Sequence, residues 1–143
     1  MSGAPLISPS RVRLDVPAPT REAAVQAAAG LLRDDTRLGA WEEFRASIGE
    51  RQVVDVEGCG GVVVLAHGRG QAVKELALSA LRWISPQGPR LVFVFAIPAA
   101  MAEEYLRKVG ALARVCKDPA KLESLRAAPT PDDFAARLAE WIG

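Results

Sequence analysis

His67 and Arg51 are the two residues whose types and spacing most directly suggest chemistry. His67 is the only histidine in the chain, and Arg51 lies sixteen positions before it. An imidazole has an unperturbed pKa of about 6.5, so much of it is uncharged and nucleophilic at neutral pH. A guanidinium can hold a phosphoryl group with two parallel hydrogen bonds. Together the two side chains are of the types that a transient phosphohistidine needs.

A glycine-dense turn separates these residues, with the sequence Glu57-Gly58-Cys59-Gly60-Gly61. Glycines let backbone N–H groups approach a ligand closely, so the turn could supply donors to a phosphoryl group. Each feature also has a simpler interpretation. His67 fits a surface histidine with one hydrogen bond, and both Arg51 and Arg69 fit solvated charges. The segment 68–71 is not a nucleotide-binding loop, because it lacks the Gly-Lys-Ser/Thr ending.

Composition excludes several classes of protein. Eighteen basic and seventeen acidic residues give a net charge of +1, which argues against nucleic acid as a partner. The apolar run 91–102, interrupted by Pro98, is too short to span a bilayer. The first five residues lack the features of a signal peptide, so we expect a flexible N-terminus and a cytoplasmic protein. Cys59 and Cys116 are too few for a disulfide framework, and with His67 they leave a zinc ion one ligand short.

The elements that must position the candidate site alternate between strands and helices. Apolar and β-branched patterns predict strands at 12–16, 53–54, 62–65, 75–81 and 91–97. Helical spacing predicts a helix from the cap Thr20 to about Arg33 and a short one over 38–48. Three more helices follow residue 100, the last two starting at Asp118-Pro119 and Thr130-Pro131. This order predicts a single-domain α/β sandwich, with a mixed sheet flanked by helices. His67 is then expected at the end of a buried strand, before a turn.

The same residues resemble a known family. Arg51-Gln52, the turn Gly58-x-Gly60, and the stretch from Val63 to Arg69 are similar to the motif of enzyme IIA domains of the fructose/mannitol type. These domains belong to the bacterial phosphoenolpyruvate-dependent phosphotransferase system (PTS) and include a nitrogen-regulatory branch. The resemblance extends over the whole chain, roughly residues 6–142, so residues 6–143 are expected to form one IIA-like domain.

The resemblance implies a function and a set of site residues. His67 would accept a phosphoryl group from the carrier protein HPr, with Arg51 stabilising the phosphate. The group would pass to a cysteine of a IIB domain, or its presence would regulate a target protein. The length of the chain, without IIB or IIC segments, favours a separate or regulatory component. No metal or organic cofactor is implied, and no nucleic acid or membrane insertion.

Three residues depart from the family pattern. Ala66 replaces the proline before the histidine, and Tyr105 stands where many members have a second histidine. Glu57 replaces a Ser/Thr hydroxyl near the phosphate. Two unit charges roughly 4–5 Å apart repel by about 3–4 kcal/mol at an effective dielectric of about 20, so an inward Glu57 would disfavour phosphorylation. Tyr105 could donate a hydrogen bond to phosphate or to the imidazole, or it could be an ordinary core aromatic.

These departures leave two functions open. The chain is either a phosphocarrier that uses His67, or a degenerate IIA-like module that stays unphosphorylated and acts by binding another protein. A hydrolase using His67 as base is a remote third, since no second catalytic motif such as Gly-x-Ser-x-Gly is present.

Overall fold

The computed structural model describes residues 6–33, 40–56, 59, 61–71, 73–100 and 102–142. The predicted flexible segment 1–5 and the predicted start of the short helix at Leu38 lie outside these residues. The described strands form one five-stranded sheet with the order β1-β4-β5-β3-β2. Their bounds are β1 Val12–Pro17, β2 Val53–Asp55, β3 Val63–Gly70, β4 Ala77–Ser85 and β5 Gly88–Pro98.

The sheet is mixed, as the sequence predicts. β1 is parallel to β4 and β3 is parallel to β5, while the pairs β4–β5 and β2–β3 are antiparallel. The two long antiparallel strands β4 and β5 form a hairpin closed by the turn after Ser85. In the chain, the helices that lie between the parallel neighbours β1 and β4 cover one face of the sheet, whereas the helices that follow β5 cover the other.

In the described part of the chain, five helices cover the sheet: α1 Arg21–Gly30, α2 Trp41–Ala46, α3 Ala102–Lys117, α4 Pro119–Arg126 and α5 Pro131–Ile142. The predicted caps are confirmed. The Thr20 hydroxyl accepts a hydrogen bond from the Ala23 N–H at 3.1 Å, and Thr130 accepts one from the Asp133 N–H at 3.1 Å. Asp118 caps α4. Such side-chain acceptors satisfy N–H groups that the first helical turn leaves without a partner.

The core has two layers, one on each face of the sheet. One layer packs α1 and α2 against the sheet, and the other packs α3, α4 and α5 against the opposite face. Successive residues of a strand point to opposite faces, so the central strand β5 contributes to both layers and is apolar without alternation. Phe93 and Phe95 point towards α3–α5, whereas Val92 and Val94 point towards α1 and α2.

The predicted bounds of three strands are wrong. β5 begins at Gly88 and not at Leu91, because its first residues pair with the end of β4. β3 does not end at residue 65 but continues to Gly70, because every residue from Val63 to Gly70 pairs with β5. His67 therefore lies within a strand, and the expected turn after it is a sheet segment. β4 begins two residues later than predicted and extends to Ser85, since it carries buried polar residues that interrupt an apolar pattern. One of them, Ser79, donates its hydroxyl hydrogen to the Ala28 carbonyl at 2.7 Å.

The other buried polar side chain of note on β4, Arg82, joins the first strand to the end of α4. Its Nε and Nη2 donate to the two carboxylate oxygens of Asp15 at 2.8 and 3.1 Å. Its Nη1 donates to the carbonyls of Leu125, Arg126 and Ala128 at 3.3, 2.8 and 2.8 Å. Asp15 has a φ of 58° at an irregularity of the β1–β4 register. The bidentate pair with Arg82 holds the strained Asp15 in place. The same guanidinium donates hydrogen bonds to carbonyls at the end of α4 that have no partner within the helix.

We predict that Arg82→Met destabilises the protein by roughly 3 kcal/mol, because three carbonyls and a carboxylate lose a buried, charged donor. The free energy of unfolding in urea measures this. Arg45→Met is the matched control: Arg45 pairs with Glu42 at 2.9 Å on the exposed surface, and its loss should cost less than about 1 kcal/mol. Equal effects of the two substitutions would contradict the assigned role of Arg82.

The same variant also changes the acid dependence of stability. The Arg82 guanidinium lowers the pKa of Asp15 below its ordinary value of 3.8. The carboxylate therefore contributes stability above pH 3.8 that is lost as pH falls through the lowered pKa. In Arg82→Met this part of the acid-induced loss should be absent.

Candidate functional site

The His67 imidazole lies half-buried on the face of the sheet that α3 covers. On β3 it is paired with Phe95 of β5. The Tyr105 ring, in the first turns of α3, lies against it, with 5.7 Å between ring centroids and 43° between planes. Tyr105 in turn packs edge-on against Phe95, with centroids 5.3 Å apart and planes at 80°. The strand and the helix therefore hold the imidazole together.

Arg69 follows two residues later on β3, so its side chain leaves the same face as His67. Its positive charge acts on both rings of the site. The pKa of His67 is lowered below 6.5, first by burial and then by Arg69. The pKa of Tyr105 is raised by burial, and Arg69 partly opposes that rise. Both rings are thus uncharged at neutral pH, which leaves the imidazole with a free lone pair.

The opposite face of β3 is supported by α2. Gly68 carries no side chain there, and a Cβ at this position would stand 2.6 Å from Phe44 Cε1 and 2.7 Å from Ser47 Oγ. The Ser47 hydroxyl accepts a hydrogen bond from the Arg69 N–H at 3.1 Å and donates to the Phe44 carbonyl at 2.6 Å. Along β3, pairing with β2 stops at Ala66, which is opposite Val53. Beyond Ala66, the Ser47 hydroxyl replaces a β2 residue as the hydrogen-bond partner of β3.

Arg51 lies in the short 3-10 turn Glu50–Gln52 that leads into β2. Because the next residue but one, Val53, pairs with Ala66, this turn approaches the part of β3 that carries His67. The Arg51 side chain is exposed and makes no hydrogen bond or ion pair with any residue that the structure describes. The turn therefore leads towards His67, and the role of the Arg51 side chain towards phosphate stays a prediction.

Glu57, Gly58 and Gly60 lie outside the described residues. Of their neighbours, Val56 donates its N–H to the Val63 carbonyl at 3.0 Å, at the start of β3. Val63 precedes His67 by four residues, which is about 13 Å along a strand. The flanks of the glycine turn are therefore at the other end of β3, and the predicted effect of Glu57 on a phosphoryl group stays a prediction.

Within the described residues, the structure brings three of the predicted site residues together: His67, Arg69 and Tyr105. The residues that position them, Ser47, Phe44 and Phe95, are not predicted from the sequence patterns. Gly68, directly after the histidine, is the one signal in the sequence, since a glycine inside a strand often marks a close approach of another element. The predicted turn after His67 is in fact this close approach.

Comparison with known proteins identifies the family. The family model of the phosphoenolpyruvate-dependent sugar phosphotransferase system, EIIA 2, matches residues 5–141. The chain belongs to this family. Membership supports a PTS phosphocarrier or regulatory role, and confirms the resemblance seen in the sequence. None of the curated proteins matches the chain.

Solved structures agree with an EIIA fold. The nitrogen regulatory protein IIA-Ntr of Neisseria meningitidis is 23% identical, with a TM-score of 0.73 over 93% of this chain and 96% of that one. The mannitol-specific cryptic phosphotransferase enzyme IIA CmtB of Escherichia coli is 16% identical, with a TM-score of 0.64 over 92% of this chain and 93% of that one. At these identities the similarity shows the fold alone. In the part of the chain that is described, no helix is both long and apolar enough to cross a bilayer.

We predict that Gly68→Ala destabilises this EIIA domain by about 1–3 kcal/mol, because the new methyl group overlaps Phe44 and Ser47. Urea unfolding measures the change. Gly30→Ala is the control: a Cβ there meets nothing within 4 Å, and alanine in a helix stabilises by about 0.5–1 kcal/mol. A neutral Gly68→Ala would show that α2 does not pack closely on β3.

We also predict that Arg69→Gln raises the pKa of His67, because it removes the second cause of its lowering. The wild-type midpoint should lie below 6.5, since burial remains the first cause. With a single histidine in the chain, the Hε1 proton resonance reports this titration directly. Arg13→Gln, on the far edge strand β1, should leave the midpoint unchanged. If the two variants titrate alike, Arg69 does not act on the imidazole.

Proposed function

We propose that His67 is the phosphoryl acceptor of this EIIA domain. It would receive the group from an HPr-like phosphocarrier protein, then pass it to a IIB cysteine or hold it as a regulatory signal. One observation supports the proposal above the others: a half-buried imidazole of lowered pKa lies against Tyr105, with the Arg69 cation on the same strand face. A neutral ring in a fixed orientation is the form that can attack phosphorus.

The transfer exchanges one nitrogen–phosphorus bond for another. A neutral ring nitrogen of His67 attacks the phosphorus of the donor phosphohistidine and forms the new bond. The donor nitrogen–phosphorus bond breaks, and its electron pair returns to the donor imidazole. Charge spreads over the three equatorial oxygens of the phosphoryl group as it passes. Arg69, and Arg51 from the adjacent turn, are the cations available to stabilise that charge.

The cation that lowers the pKa of His67 also suits the product. Before transfer, Arg69 disfavours the protonated imidazole, which would be unreactive. After transfer, the group next to the guanidinium carries nearly two negative charges, and the interaction becomes attractive. Tyr105 is uncharged at neutral pH, so it adds no repulsion, and its packing on Phe95 limits rotation of the imidazole on the other side.

The destination of the phosphoryl group is the finer part of the proposal. Structural similarity at 23% and 16% identity shows the fold alone, so the proposal keeps both destinations, a IIB cysteine and a regulatory target protein.

A degenerate, unphosphorylated module is the second candidate. Its support is the position of Tyr105, whose ring covers one side of the imidazole, and the side chain of Arg51, which makes no hydrogen bond or ion pair with a described residue. Ala66 in place of the family's proline is weaker evidence for a degenerate module. Ala66 is fully buried and pairs with both Val53 and Val94, so the exchange for proline keeps the strand regular beside His67.

Incubation with phosphoenolpyruvate, enzyme I and HPr separates the two functions. We predict an acid-labile phosphate on the wild-type protein, detected by intact mass, and its complete absence in His67→Gln, which has no nucleophilic ring. Arg69→Gln should be phosphorylated more slowly, by about tenfold, since it removes one charged donor. Arg13→Gln is the matched control and should react at the wild-type rate.

An unphosphorylated wild-type protein, with HPr itself phosphorylated in the same tube, would favour the degenerate module. Phosphate retained by His67→Gln would show that another residue is the acceptor. In either case His67 would lose the role proposed here.

A further inference from the structure

A cationic cleft lies at the end of the sheet where β5 begins, away from His67. We call it the Arg90–Arg126 cleft. It has a volume of about 300 Å³ and is formed by the start of β3, the β4–β5 hairpin and the end of α4. Arg90 precedes Phe95, the partner of His67 in the sheet, by five residues, which is about 16 Å along β5. Its lining consists of Gly61, Val62, Gln87, Pro89, Arg90 and Arg126.

Arg90 is held in place before any ligand arrives. Its Nε donates to the Gly61 carbonyl at 2.7 Å, and its Nη2 donates to Asp55 Oδ1 at 3.3 Å. The guanidinium lies over the Trp83 ring, 5.1 Å from the centroid. These contacts fix the plane of the guanidinium and leave Nη1 without a hydrogen bond to any residue that the structure describes. A rigid arginine with an unused donor binds an anion with little loss of side-chain entropy.

Arg126 supplies an independent observation. Its Nε is buried and has no hydrogen-bond partner, the one such side-chain nitrogen or oxygen among the described residues. Its Nη1 lies 3.3 Å from Glu123 Oε2, and its carbonyl is fixed by Arg82. A buried donor left unpaired is costly, and native proteins nearly always give it a partner, often a water or an ion.

The balance of charge in the cleft favours an anion. Among the residues that the structure describes, its lining carries two cations, one amide and no carboxylate. The acidic partners of the two arginines, Asp55 and Glu123, are themselves 51% and 68% exposed, so solvent screens their negative charges and the guanidinium groups keep their attraction for an anion. Asp55 is also shared with Arg21 at 3.2 Å. Unused N–H groups on two arginines remain for a ligand.

We propose that the Arg90–Arg126 cleft binds the phosphate group of a small phosphomonoester. Three acceptor oxygens and a double negative charge match two guanidinium groups, which bind phosphate through paired N–H donors. The volume suits a metabolite with a short carbon skeleton, whose apolar part would contact Val62 and Pro89. The cleft borders the first residues of β3, the strand of His67, so the ligand would stabilise the fold around that strand by mass action. This inference does not depend on phosphorylation of His67.

NMR titration of the ¹⁵N-labelled protein with glycerol 3-phosphate tests the proposal. We expect saturable shifts of the amide of Gly61, of the Gln87 side-chain amide and of the Arg126 Nε–Hε group, with a dissociation constant on the order of 1 mM. Neither glycerol nor sodium chloride at matched ionic strength should produce saturable shifts of these groups. The Nε–Hε resonance of Arg126 in the wild-type protein tests the proposal even if a variant does not fold.

Arg126→Gln should weaken binding about tenfold, as the loss of a charged donor does. Arg45→Gln is the matched control, since Arg45 also pairs with a glutamate three residues earlier on a helix, and it should bind as the wild type does. Shifts confined to the His67 region, shifts equal to those of sodium chloride, or unchanged affinity in Arg126→Gln would overturn the proposal. Tighter binding of inorganic phosphate than of glycerol 3-phosphate would overturn the choice of a phosphomonoester.

Discussion

The parallel pairing of β3 with β5 is the constraint from which the rest of the site follows. It runs without interruption from Val63–Leu91 to Gly70–Pro98, and both strands are largely buried. Because the register is fixed, His67 is opposite Phe95, and the helix that follows β5 brings Tyr105 onto both rings. A shift of one residue would exchange the two faces of β3 and place the imidazole under α2. The chemistry of the imidazole is thus set by sheet register before any local contact is considered.

The two faces of β3 have different roles: one carries the side chains of the candidate site, and the other packs against α2. The face towards α3 carries His67 and Arg69, where burial and a nearby cation keep the imidazole uncharged. The face towards α2 carries Gly68, whose missing side chain admits Phe44 and Ser47. Where the pairing of β3 with β2 stops at Ala66, the Ser47 hydroxyl accepts a hydrogen bond from the Arg69 N–H, so this edge of β3 stays fixed beside His67. A flexible loop in that place would lose the orientation that phosphoryl transfer requires.

Much of the fold and the family could be predicted from the sequence, because helix caps and strand patterns depend on residues that are close together in the chain. The caps at Thr20 and Thr130, the mixed α/β sheet and the family follow from short patterns. The extent of β3 did not, since Gly68 and Gly70 have low strand propensity and are in the strand only because β5 pairs with them. Arg82 likewise gave no signal, as its five hydrogen bonds reach residues far away in the chain. Predictions from sequence fail where the structural role of a residue depends on a partner far away in the chain.

The most direct test of a phosphoryl group on His67 is nitrogen–phosphorus coupling in protein labelled with ¹⁵N-histidine and treated with phosphoenolpyruvate, enzyme I and HPr. The chain has a single histidine, so its two ring nitrogens give the only labelled imidazole signals. If His67 carries the phosphoryl group, one ring nitrogen becomes coupled to ³¹P while the protein stays folded. Two ring nitrogens that stay uncoupled, while the phosphorus signal remains on HPr, would contradict the role proposed for His67.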